Sequence, residues 1–158
     1  MTVDGLKMSL SRYGPSETME RILAAIAKLG MAVLARIDLS AAAAKVGIEL
    51  RSTEVVLFGN PKTGTPLMQD AQTIGVDLPL KILVWQDEQD RTWVAYNDPF
   101  WLAGRHAVAE GSVAANGDCR LRHLWKIAAG LFNDRRVPTR FLFLHANSQI
   151  AIETAEGP

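Results

Sequence analysis

The chain has 158 residues, 48% of them hydrophobic and 22% charged, which is enough for one domain with a real core. Its formal net charge is zero, which argues against electrostatic binding of nucleic acid. The one cysteine, Cys119, excludes an intrachain disulfide and any cysteine-rich zinc site, and it points to a reducing cytoplasm as the compartment.

The first residues, MTVDGLKMSLSRYG, lack the apolar core of a signal peptide, and no apolar run approaches the ~18 residues that span a bilayer. Val3, Leu6, Met8 and Leu10 predict a first strand, stopped by Gly14-Pro15-Ser16. Ser16 is the expected cap of a helix in which Met19, Ile22, Leu23, Ile26 and Leu29 share one face, closed by Gly30. A second strand alternates through Val33, Ala35, Ile37 and Leu39. Ser40 then caps a short alanine-rich helix, Ala41 to Val46, that ends at Gly47.

The segment from Val55 to Asp70, VVLFGNPKTGTPLMQD, organises the rest. Glu54 to Phe58 reads as a strand buried on both faces. Gly59 releases the backbone, Asn60 is driven extended by Pro61, and Gly64 is free to take positive φ. Thr65 is the expected cap and Pro66 the first helical residue of a helix that runs to Gly75. Lys62 then stands beside a helix N-terminus, a geometry that attracts anions, although the same loop also serves as a plain strand-to-helix connection. The order of lysine and glycine is not that of a phosphate-binding Walker loop.

Lys81 to Trp85 and Thr92 to Tyr96 predict an antiparallel hairpin around the polar run Gln86 to Asp90. Phe100 to Glu110 is an expected helix, and Asp118 caps another in which Leu121, Leu124, Trp125, Ala128, Leu131 and Phe132 share a face. Phe141 to Leu144 reads as a short strand. These elements divide into one domain, residues 1–136, and an extension, residues 137–158.

Three blocks, GNPKTGTPLMQ, DLPLKILVW and WVAYNDP, taken in this order and spacing, resemble a bacterial family, domain-of-unknown-function family 302. The resemblance covers about Tyr13 to His106. It implies an α+β fold like that of the TATA-box-binding protein, a two-layer domain with an antiparallel sheet of about five strands and helices on one face. It carries no settled activity, so whether the chain is an enzyme stays open and no cofactor is implied. Asn60, Pro61, Lys62, Gly64, Thr65, Leu67 and Met68 match the first block, Leu78, Pro79 and Lys81 the second, and Tyr96 the third. Relatives carry histidine after the segment matching Arg36-Ile37-Asp38, where this chain has Leu39.

His106, His123 and His145 lie on separate elements without metal-ligand spacing, so no metal site is expected. Met68 with His106 as haem ligands lacks any attachment motif, and Cys119 with His123, four residues apart on one helix face, lies outside the best-matched core. If Lys81 and Tyr96 both point away from the helices, they line an open sheet face suited to a small acid. The candidate ligand-binding set is therefore Asn60, Lys62, Thr63, Gly64, Thr65, Met68, Lys81 and Tyr96. The leading expectation is a module that binds or senses a small anionic ligand in a pocket between the NPKTGTP loop and the sheet. The alternatives are a homodimeric interaction domain joined through its sheet or its C-terminal strand, and an enzyme of unread chemistry. No nucleic-acid or membrane partner is expected.

Overall fold

A computed structural model describes residues 3–109. The expected helix from Asp118, the strand Phe141 to Leu144, the Cys119–His123 pair and the boundary at residue 136 all lie outside the described residues.

Alternating apolar residues build five strands: β1 (Leu6–Leu10), β2 (Ala32–Asp38), β3 (Thr53–Gly59), β4 (Leu80–Gln86) and β5 (Thr92–Asn97). They form one five-stranded antiparallel sheet, as the family resemblance implied, and its order is β1-β5-β4-β3-β2. The continuous apolar strand β3 lies inside the sheet and pairs with β2 and β4 on either side. Helices α1 (Pro15–Lys28), α2 (Leu39–Ala44), α3 (Pro61–Asp70) and α4 (Pro99–Arg105) complete the described fold, with a 3-10 helix at Gln72–Val76.

Helix α1 covers one face of the sheet. Met19, Ile22 and Ile26 are almost fully buried against Val56, Phe58, Ile82, Val84 and Val94. Each such side chain contributes about 1.5–3 kcal/mol by leaving water. Arg36 crosses from the edge strand to this layer and pairs with Glu54 and with Glu20 of α1. Those hydrogen bonds, Glu54 first, raise its already high pKa further.

Because adjacent strands are antiparallel, β3 ends, β4 begins and β5 ends at the same end of the sheet. There α3, the 3-10 helix and α4 gather around a second cluster of Leu67, Ile74, Ala103 and Val108. At that end Gly5, with φ +74, lets Trp101 pack against its backbone, where a Cβ would lie 2.2 Å from the ring. The Leu78-Pro79 peptide bond is cis.

Several expected boundaries are corrected. Helix α1 begins at Pro15 behind Gly14, and no side chain caps it. Asp38, not Ser40, caps α2; its carboxylate accepts from Ala41 N–H at 2.8 Å and from the Ser40 hydroxyl at 2.6 Å. Helix α4 stops at Arg105, short of Glu110, because Ala107 takes a left-handed conformation, φ 52. The hairpin tip is tied by Asp87, which accepts from the Trp93 indole at 2.7 Å and from Arg91 Nε at 2.8 Å. Partial burial opposes its ionisation, but these bonds outweigh that effect and hold the carboxyl well below the usual range. Among the described residues no helix is long and apolar enough to cross a membrane.

Candidate functional site

The site grows from the junction of β3 and α3. Helix α3 begins at Pro61, five residues before the expected start at Pro66, and Asn60 rather than Thr65 is its cap. Pro61 drives Asn60 into extended backbone, φ −142 and ψ 124, and this places its side chain over the first turn. Asn60 Oδ1 accepts from Lys62 N–H at 2.9 Å. The Asn60 carbonyl accepts from Thr63 N–H at 2.9 Å, from Gly64 N–H at 3.0 Å and from the Thr63 hydroxyl at 2.9 Å. Its Nδ2 donates to Gly30 O at 3.3 Å, fastening the junction to the turn between α1 and β2. One asparagine thus satisfies the N–H groups that the anion reading left for a ligand. Pro66 falls inside the helix, where it offers no N–H to the Lys62 carbonyl. The helix ends at Asp70, and the stretch up to Gly75 continues as the 3-10 helix.

Between these elements and the sheet end lies a cavity of about 370 Å³. Its wall is mainly apolar: Met31 and Leu34 from one side, Leu67 and Met68 from α3, Leu78 and Leu102 opposite. Asn60, Thr63 and Thr65 supply the polar groups of the lining. Gly64 also lines it, and it is helical rather than in the positive-φ region that a glycine there is free to adopt. A Cβ at Gly64 would lie 3.8 Å from Leu78 Cδ1, an ordinary contact.

The structure brings five of the eight expected residues together here: Asn60, Thr63, Gly64, Thr65 and Met68. Lys62 is exposed and does not line the cavity. Lys81 and Tyr96 do not share a surface. Tyr96 stands opposite Ile82 on the face covered by α1, while Lys81 alternates with Ile82 and points to the other face. The Lys81 ammonium donates to the Asp77 carbonyl at 2.9 Å. Burial, and the nearby Asp98 carboxylate, push the Tyr96 phenol above its ordinary pKa.

One polar group escaped the sequence reading. His106 Nε2 lies 2.7 Å from Asp77 Oδ2, its Nδ1 lies 3.1 Å from the Thr73 hydroxyl, and Arg105 reaches the same carboxylate at 3.1 Å. A histidine between a carboxylate and a hydroxyl has the connectivity of an acid–base relay. Thr73, however, is exposed and outside the cavity lining, so the row serves to pin α4 to the 3-10 helix. Asp77 and His106 are 29 residues apart, and only the 3-10 turn, which no local pattern announces, brings them together. Among the described residues no group of three or more His, Cys, Asp or Glu side chains is placed to hold a metal ion.

The family model described as "Domain of unknown function DUF302" matches residues 7–123. Two curated proteins, from Brucella suis biovar 1 and Brucella abortus biovar 1, are each named "Fluoride-specific ion channel FluC 1". Both are 45% identical to this chain over 111 residues, which is 70% of this chain and 44% and 41% of theirs. The chain thus spans less than half the length of these curated relatives. A crystal structure of an uncharacterized conserved DUF302 protein from Bacillus stearothermophilus superimposes with a TM-score of 0.67 at 18% identity, covering 83% of this chain and 98% of that one.

Proposed function

The chain belongs to the DUF302 family, and from that premise we propose that it is a small-ligand-binding module whose ligand occupies the cavity at the end of the sheet. The observation that carries this reading is the cavity itself: about 370 Å³, within the usual range for ligand sites, apolar along its walls, with a few polar groups on one side. A ligand with an apolar body and one hydrogen-bonding end fits that distribution better than a bare anion, because Asn60 already takes the N–H groups of the α3 start. The relatives named as fluoride channels share with this chain less than half of their length, and the proposal concerns that shared stretch alone.

The test is a titration of the full chain with straight-chain carboxylic acids and alcohols of increasing length, read by thermal shift. The wild type should be stabilised, most by a length that fills the cavity. Gly64→Leu, whose side chain points at Leu78, should fold and lose most of the response, and Lys62→Ala should keep it. A response that is equal in Gly64→Leu and wild type, or that disappears in Lys62→Ala, would count against the proposal.

A further inference from the structure

The sheet has a second face. Cα partners across antiparallel strands share a face, so the register lays Ile37, Val55, Leu83, Ala95 and Met8 in one line across all five strands. In the neighbouring line Trp85 and Trp93 stack with centroids 6.1 Å apart, next to Leu10. Among the described residues, neither cluster of buried side chains contains a residue of these lines, although Ala95 is itself buried, 2% exposed. Met8, Leu10 and Ile37 stay 46%, 43% and 42% exposed.

Charge is absent from the middle of this face. The ammonium of Lys81 is drawn to the Asp77 carbonyl at the sheet end, and Arg91 lies over the Trp93 ring at the rim, 5.6 Å from its centroid. Strands ~4.8 Å apart, with five to seven residues rising ~3.3 Å each, make a face of roughly 24 by 20 Å. Two such faces together approach ~1,000 Å² before side-chain relief is counted, close to the ~1,200 Å² at which specific interfaces begin. A single face of this size matches the largest apolar patch on a typical monomer, and such patches are often functional. A face that meets its own copy about a two-fold axis must bring no like charges together, and an uncharged centre satisfies that condition.

We propose that a second copy of this chain covers this sheet face, which no described helix packs against as α1 packs against the other, forming a homodimer by face-to-face packing of the two sheets. Ile37, Val55, Leu83 and Met8 form its centre, around the buried Ala95, and the stacked tryptophans form one flank. This is an interface through the sheet face and not through the segment Phe141 to Leu144.

Sedimentation equilibrium on the full chain tests it. The wild type should sediment as a dimer at micromolar concentrations. Leu83→Glu, at the centre of the line, should raise the dissociation constant at least about tenfold. Met8→Glu changes an exposed side chain and so keeps the fold; it should weaken the dimer in the same direction, which keeps the test valid if Leu83→Glu fails to fold. A wild type that stays monomeric to ~100 μM means the face is bare or covered within the chain, and overturns the proposal. So does a dimer that both substitutions leave unchanged.

Discussion

Asn60 ties the start of α3 to the rest of the fold. Its oxygen and carbonyl cap α3, and its amide reaches the turn at Gly30. Asn60→Ala should therefore cost about 1–2 kcal/mol, the upper range for a lost cap, measurable by chemical denaturation. Thr65→Ala should cost little, since Thr65 is exposed and does not cap. Gly64 gives the opposite sign. It sits in α3 without positive φ, so Gly64→Ala should stabilise the fold by about 0.5–1 kcal/mol. Asp87 gives a pH dependence. Its folded pKa is depressed, so its contribution is present above the ordinary carboxylate value near ~4 and is lost as pH falls through the folded value. Trp93 emission, followed down an acid titration, should change in that range in the wild type, and Asp87→Asn should lack this limb because the pair with the Trp93 indole no longer titrates.

At the scale of elements, local pattern was informative wherever one face of an element meets one core. The stripe of Met19, Ile22 and Ile26 is legible because helical spacing puts these residues on one side, and α1 packs that side on the sheet. Ile22→Ala should cost about 2–5 kcal/mol, read as a lowered denaturation midpoint with unchanged slope. The start of α3 was misread for a physical reason. Asn60 and Thr65 are both good caps and each precedes a proline, so local pattern does not separate them; Asn60 also has a long-range partner, the Gly30 carbonyl, that the sequence does not reveal. Lys81 and Tyr96 failed as a pair for another reason. Parity within each strand is visible in sequence, but their relative facing depends on the hairpin register, which the loop tied by Asp87 fixes. The Asp77–His106 contact was invisible because it joins a 3-10 turn to a helix end. His106→Ala should loosen α4, leaving Asp77 with only Arg105 and costing about 1–3 kcal/mol.

At the scale of the whole molecule, the five-stranded antiparallel sheet followed from the resemblance, while its order, with β1 and β2 at opposite edges, did not follow from any local signal. The cavity was anticipated only as a pocket between the NPKTGTP loop and the sheet. Its apolar wall comes from segments as far apart as Met31 and Leu102, and no spacing rule connects them. The central claim is that this cavity holds a small ligand with an apolar body. Native mass spectrometry of the full chain, purified without denaturant, tests it most directly. The account predicts one small molecule bound per chain in the wild type, sharply reduced in Gly64→Leu and retained in Lys62→Ala. A bound molecule retained in full by Gly64→Leu, or a wild type that carries none and takes up none of the straight-chain acids and alcohols, would contradict it.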